Sequence, residues 1–292
     1  MPLYFSNRRP LSKRAQYFIA FAVLAVVLMA LTSWLMVRYY SYRPVDEPQD
    51  DSSLTSSVTY TTEDDGTMLL IFTDTDAERF LLIHAAPSGG AMYVAPLPAN
   101  TLTEQKKTLV DILRKSGPAK VTQTVAAVTD LPVSRYMAMT TDNVESFLAD
   151  LGEGVPYSIS EAVRFTDKDG ATMQLEAGEQ TLSAGQTAAL LRYEEWKNAN
   201  ALQVNGDILV ALLNRYLLPE RSLRGDFAAL SNLSKTNLRI DDYTAYREPL
   251  LYLAETNALA PVCRRVDIVG STDEQGRFIP DVTAIRQSPL AP

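Results

Sequence analysis

Hydrophobic and polar positions divide the chain into three regions of different character. From Ala15 to Val37 the run AQYFIAFAVLAVVLMALTSWLMV carries no charge over 23 residues, which as a helix would span about 34 Å, enough to cross a bilayer. A signal peptide would have a shorter apolar core and a small-residue cleavage site, whereas this run ends in Trp34, Arg38, Tyr39 and Tyr40, residue types that anchor at a membrane interface. The pattern then collapses. SYRPVDEPQDDSSLTSSVTYTTEDDG (Ser41 to Gly66) is polar and acidic with no sustained period, and reads as a stalk.

Beyond it, the apolar runs MLLIFTD (Met68 to Asp74), RFLLIHAA (Arg79 to Ala86) and AMYVAPL (Ala91 to Leu97) have strand length, and Pro87-Ser88-Gly89-Gly90 joins the last two as a hairpin. Near-continuous apolarity implies strands covered on both faces. Helical spacing follows at Leu109, Ile112 and Leu113, at Val121, Val125 and Val128, and at Val144, Phe147, Leu148 and Leu151 behind the cap candidates Thr141 and Asp142. A second strand cluster is expected in Val155 to Ser160, Ala162 to Thr166 and Ala171 to Leu175, the last two joined by the turn Asp167-Lys168-Asp169-Gly170. TAALLRYEEW, DILVALLNRYLL and DDYTAYREPLLYLAE then read as helices, and VDIVG as a last strand. The expected fold class is α/β, a central mixed sheet with helices on both faces, preceded by one transmembrane helix.

Charge orients this arrangement. Arg8, Arg9, Lys13 and Arg14 precede the span and only Arg38 and Arg43 closely follow it, so the positive-inside bias puts the N-terminus in the cytoplasm. The expected organisation is a basic cytoplasmic tail (1–14), a membrane span (15–38), a stalk (39–66), one extracytoplasmic domain (67–286) and a short tail (287–292) at the cell membrane. All 35 acidic residues lie after the span, which leaves the exterior with a formal charge of −14. Nucleic acid is a poor partner for such a surface, because its phosphates would be repelled. The single cysteine, Cys263, excludes an internal disulfide framework and reads as a small buried residue. His84, the only histidine, lies within an apolar strand without a second metal-ligand type near it, and reads as a core or edge residue. No nucleotide-binding glycine motif or serine-hydrolase elbow occurs.

The segment LEAGEQTLSAGQTAALLRY (Leu175 to Tyr193) resembles the G-E-Q-x-L-x-G-x-x-A-L-x-Y-x-R stretch of the LytR-CpsA-Psr family, the cell envelope-related transcriptional attenuator proteins. Neighbouring segments are similar in the same order: LLIFTDTD (Leu69 to Asp76) to the first strand and acidic loop, Arg79 to Thr101 to the paired strands ending in Pro-Arg-Asp-Thr, Val133 to Ile159 to the Y-x-x-x-x-x-x-x-F-x-x-x-v-D-x-l-G-G-V stretch, and FIPDVTAI (Phe278 to Ile285) to a C-terminal segment of some members. The resemblance implies an extracytoplasmic domain of a kind that transfers a glycopolymer from a polyprenyl pyrophosphate carrier to the cell wall, often with magnesium. Such chemistry needs several guanidinium forks and a carboxylate-held metal to stabilise the leaving pyrophosphate, and an apolar pocket for the lipid.

The chain departs from the pattern where that chemistry is done. Pro98-Ala99-Asn100-Thr101 stands for Pro-Arg-Asp-Thr, and Asp76-Ala77-Glu78-Arg79 for Arg-Ser-Asp-Thr. The position after Arg192 that should bring a second arginine falls near Glu194, and a later Arg-x-x-Arg-Gln falls on the uncharged Ala201 to Asn205. Arg192, Asp74 and the displaced Arg79 remain as catalytic candidates, and Asp74 and Glu78 as magnesium candidates. Beside these stand structural readings: Asp74 as a turn cap and Arg192 as a cation at a helix C-terminus. The expectation is a cell-envelope protein degenerate at the pyrophosphate site, binding a polyprenyl-linked or wall glycan or a wall-assembly partner. The alternatives are an active transferase with a phosphate site rebuilt from Arg79 and Arg192, and a ligand-free signalling or interaction module.

Overall fold

The computed structural model describes residues 59–75, 77–152, 154–168, 170–219 and 223–291. The expected tail, span and nearly all of the stalk lie outside these residues, and among the described ones no helix is long and apolar enough to cross a membrane.

Three strands, β1 (Gly66–Phe72), β2 (Arg79–Ala86) and β3 (Ala91–Leu97), form an antiparallel meander. The β2–β3 connection is a single 3-10 turn, Pro87–Gly89, closed by Gly90 at φ 60°, a backbone angle that a residue without Cβ adopts at no steric cost. β4 (Arg135–Met139) adds parallel to β1, β9 (Lys235–Thr236) antiparallel to β4, and β10 (Cys263–Arg265) parallel to β3, giving the order β10-β3-β2-β1-β4-β9. The central sheet is therefore mixed, as the apolar runs predict.

Side-chain alternation along these strands makes two cores. Leu69, Ile71, Phe80, Leu82, Ala95 and Leu97 point to one face, where α1 (Leu109–Ser116), α2 (Pro118–Thr129) and the short C-terminal helix Val282–Arg286 cover them. Leu70, Phe72, Leu81, Met92 and Val94 point to the other, under α3 (Thr141–Leu151), α4 (Ala184–Arg192), α5 (Ala201–Tyr216) and the long helix Ile240–Leu259. Leu69, Ile71, Phe80, Leu81 and Leu82 are wholly inaccessible, and burial of each such side chain contributes roughly 1.5–3 kcal/mol. α5 seats against β3 because Gly206 carries no Cβ: one built there would lie 2.5 Å from Pro96 Cγ.

The second strand cluster forms as expected, with β6 (Val163–Thr166) and β7 (Thr172–Leu175) paired as a hairpin and β5 (Val155–Ile159) paired with β8 (Gly178–Leu182), each a two-stranded ladder apart from the main sheet. Two expectations need correction. The cap of α3 is Thr140, whose side chain accepts from Asn143 N–H, so Thr141 is already the first helical residue. The expected strand VDIVG is split, since pairing occupies Cys263–Arg265 before it and Gly270–Thr272 at its end.

Candidate functional site

The loop 73–78 leaves β1 at the edge of the sheet beside β4. Thr73 N–H still bonds the carbonyl of Met139, and the next residue, Asp74, turns toward α3. Its Oδ2 accepts from Thr141 N–H at 2.9 Å and its Oδ1 from the Thr141 hydroxyl at 2.7 Å. A helix N-terminus exposes unpaired N–H groups and a partial positive charge, so a carboxylate placed there is stabilised.

Arg192 reaches the same residue from the opposite side. It is the last helical residue of α4, where a cation complements the helix dipole. Its Nη1 donates to Thr141 Oγ at 2.6 Å and to Asp142 Oδ1 at 3.3 Å. Its Nε donates to Asp167 Oδ1 at 3.1 Å, and Nη2 donates to Asp167 Oδ2. The Arg192 and Asp167 side chains are 10% and 9% exposed, a buried fork-to-fork pair. Burial alone would push the Asp167 carboxyl up, but hydrogen bonds from Arg192 and Lys168 N–H, with both cations beside it, hold it below the usual carboxylate range. Asp167 is aimed by the turn between β6 and β7, where Gly170, at φ 77°, donates to the Asp167 carbonyl.

Arg79 lies in a second cluster. Paired with Phe72 in the β1–β2 register, its buried guanidinium donates through Nη2 to Glu194 at 2.5 Å and through Nη1 to the Glu78 carbonyl at 3.1 Å. With the Asn205 amide oriented to satisfy both of its ends, Asn205 Oδ1 accepts from Arg79 Nε at 2.7 Å and its Nδ2 donates to the Leu191 carbonyl at 3.3 Å. Asn205 is wholly buried. Glu194 thus neutralises an arginine of its own chain.

The two magnesium candidates are each engaged by a different partner. Asp74 spends both oxygens on Thr141, and Glu78, with its side chain 8% exposed, takes Arg114 Nε on Oε1 at 2.6 Å. Among the described residues no group of three or more His, Cys, Asp or Glu is arranged to hold a metal ion. A hard dication needs several unshared oxygens, and these residues do not fit it. In the turn that stands for Pro-Arg-Asp-Thr, Asn100 Nδ2 donates to the Gly276 carbonyl at 2.6 Å and Thr101 Oγ to the Pro98 carbonyl at 2.6 Å, while Ala99 packs against the α1–α2 core. The turn is committed to the connection between the antiparallel strands Gly270–Thr272 and Phe278–Pro280, which carries Gly276.

A cleft of about 630 Å³ opens on the other side of loop 73–78, lined by Thr73, Thr75, Glu78, Leu113, Arg114, Pro118, Ala138 and Lys235. Its lining is mixed polar and apolar and includes neither Arg79 nor Arg192. His84 and Cys263 lie away from both clusters: His84 is buried, with Nδ1 2.7 Å from Thr67 Oγ, and Cys263 is buried in β10.

Asp167, Thr141, Asn205 and Arg114 are the partners that sequence reasoning missed. Asp167 sits in a segment that reads as a plain turn, and Asn205 in one that reads only as a lost arginine.

No family model matches the sequence, and no curated protein does. Solved structures match it throughout the domain. The crystal structure of a putative transcription regulator from Eubacterium siraeum superposes with a TM-score of 0.68 at 16% identity, covering 83% of this chain and 95% of that one. Bacillus subtilis TagV superposes at 0.58 and 16%, covering 76% and 93%, and B. subtilis TagU at 0.54 and 16%, covering 77% and 93%. The fold is LytR-CpsA-Psr-like. At these identities the likeness establishes the fold of the domain alone; the chemistry rests on the residues.

Proposed function

We propose that this chain is a membrane-anchored cell-envelope protein whose LytR-CpsA-Psr-like domain binds a polyprenyl-linked or wall glycan, or another wall-assembly protein, and does not transfer glycopolymer. The observation that carries the second half is the fate of the two surviving arginines. Arg192 is clasped by Asp167 and Arg79 by Glu194 and Asn205, so neither fork is open to a pyrophosphate. Asp74 and Glu78, the acids expected at a metal, are held by Thr141 and Arg114. Removal of one preorganised charge contact from a transition state costs on the order of 3 kcal/mol, roughly a hundredfold in rate, and here every candidate position is empty or internally paired.

The domain with a lipid-linked glycan acceptor system and magnesium is expected to show no transfer above background while retaining glycan from detergent-solubilised wall material. Turnover comparable to that of an arginine-complete relative would overturn the reading in favour of a site rebuilt around Arg79 and Arg192. For the anchor, a reporter fused before Phe18 is expected to stay cytoplasmic, and protease outside intact cells to cut between Ser41 and Gly66. A secreted form beginning near Val37 would remove the anchor.

A further inference from the structure

The cleft of about 630 Å³ beside loop 73–78 lies outside both arginine clusters. Its floor is Ala138 of β4, and Leu113 of α1 and Pro118, the first residue of α2, give it an apolar wall. The wall formed by the loop is fixed by bonds within the chain. Thr73 N–H donates to the Met139 carbonyl at 2.9 Å, Ala77 N–H to the Asp74 carbonyl at 3.1 Å, and Arg114 Nε to Glu78 at 2.6 Å. Lys235 closes the remaining side. It stands opposite Ala138 in the antiparallel β4–β9 ladder, and directly opposed residues share a face of the sheet, so its stem rises over that floor. Glu78 has its cation in Arg114, whereas the exposed Lys235 ammonium has no acid or other acceptor among the described residues. An unpartnered ammonium thus stands above an apolar base, with the exposed Thr73 and Thr75 along the rim.

We propose that this cleft binds the C-terminal end of a short peptide, its carboxylate on Lys235 and an apolar side chain on Ala138, Leu113 and Pro118. The site goes beyond the glycan-binding reading above and does not depend on it. Each part of the ligand follows from the lining. A charge-assisted hydrogen bond is the strongest polar contact that an ammonium can make, and lysine offers it as a point charge, without the fork that matches a phosphate. The Glu78 carboxylate in the wall repels a doubly charged group more than a singly charged one. A sugar acid would lay its hydroxyls on the apolar wall and leave them without partners there. The volume falls within the range of sites for small molecules, and the bonds that fix loop 73–78 leave little to be ordered on binding. A lysine on a sheet edge also deters strand addition. That role makes no demand on what enters the cleft, so ligand selectivity separates the two.

The full-length protein in neutral detergent is titrated with four probes: N-acetyl-alanyl-leucine, the same peptide amidated at its C-terminus, glucuronate and inorganic phosphate. The peptide acid is expected to bind saturably, about tenfold more tightly than its amide, and more tightly than glucuronate or phosphate. Lys235→Gln is expected to bring the acid down to the affinity of the amide while leaving the amide itself unchanged. No saturable binding of the peptide acid, equal binding of acid and amide, or a preference for the acid that survives Lys235→Gln would each overturn the proposal. Tighter binding of glucuronate or phosphate than of the peptide acid would overturn it as well, by giving the cleft to another anion. If Lys235→Gln does not fold, the comparison of acid with amide on the unmodified protein decides.

Discussion

Arg192 and Asp74 meet through one hydroxyl, that of Thr141, which accepts from Arg192 Nη1 at 2.6 Å and donates to Asp74 Oδ1 at 2.7 Å. A cation at the end of one helix and an acid at the end of a strand are thereby fixed on the first residue of a third element. Two residues separated by more than a hundred positions are thus joined through a single side chain.

That joint is testable with a nearly isosteric change. Thr141→Val keeps the shape and removes the hydroxyl, which leaves one Asp74 oxygen and one Arg192 N–H without this partner. Hydrogen bonds to charged groups contribute about 1.5–3 kcal/mol, so urea unfolding is expected to show a loss on the order of 2 kcal/mol with an unchanged m-value. A loss below 0.5 kcal/mol, on the order of an ordinary surface substitution, would show that the hydroxyl does not couple the three elements.

Asn205 offers a second test, in the Arg79 cluster. Its side chain is inaccessible and its oxygen takes Arg79 Nε at 2.7 Å. Asn205→Ala opens a small cavity and strands a buried charged donor, for an expected cost of about 2–4 kcal/mol. Glu194→Gln, with Glu194 53% exposed, is expected to cost much less, because solvent can screen and replace that contact. Denaturant midpoints of the two variants measure the ordering, and equal losses would contradict it.

Much of the fold was legible because β1, β2 and β3 are continuous apolar runs broken by Asp, Gly and Pro, a pattern with few other solutions. β4 was not, since RYMAM opens with an arginine and leads straight into a helix cap, so its apolar stretch is short. The ladders β5–β8 and β6–β7 show the limit of periodicity: it marks a strand but does not say which neighbour it joins. Helix Leu223–Leu233 escaped detection although Leu223, Phe227 and Leu230 keep helical spacing, because Gly225 and Asp226 in its first turn interrupt the pattern with poor helix formers. At the site, Arg192 was found by motif, but its partner Asp167 lies 25 positions away in a turn. An acid in a turn has a sufficient local explanation, and only the folded chain shows its second role.

Cys263 should be inert in the folded protein. It is buried in β10 and burial pushes its thiol up to about 12, with only the Arg264 N–H opposing. The thiolate is the reactive form, so at pH 8 the native domain is expected to resist a thiol reagent for as long as it stays folded, and to react fully in denaturant. Rapid labelling without unfolding would place Cys263 in a solvent-open strand edge.

His84 gives the domain a pH dependence of predictable sign. Its ring is buried in β2, with Nδ1 2.7 Å from Thr67 Oγ, and burial lowers its pKa below the ordinary 6.5, with Asp65 partly opposing. The folded protein therefore holds the neutral ring, while the unfolded chain takes up a proton at the ordinary value. Above pH 6.5 both states are neutral and the contribution is complete. As pH falls below 6.5 the unfolded state binds the proton first, so stability declines until the folded pKa is passed. Carboxylates such as Asp167, held below their usual range, add a further loss at lower pH, so the His84 share is isolated by comparison with a variant. His84→Gln removes the titrating ring while keeping a group able to meet the Thr67 hydroxyl. Unfolding free energies measured between pH 8 and pH 5 are expected to converge for the two proteins as pH falls, because only the unmodified one loses the histidine contribution. A constant offset across that range would mean that His84 titrates alike in both states and that its burial has no influence on the proton.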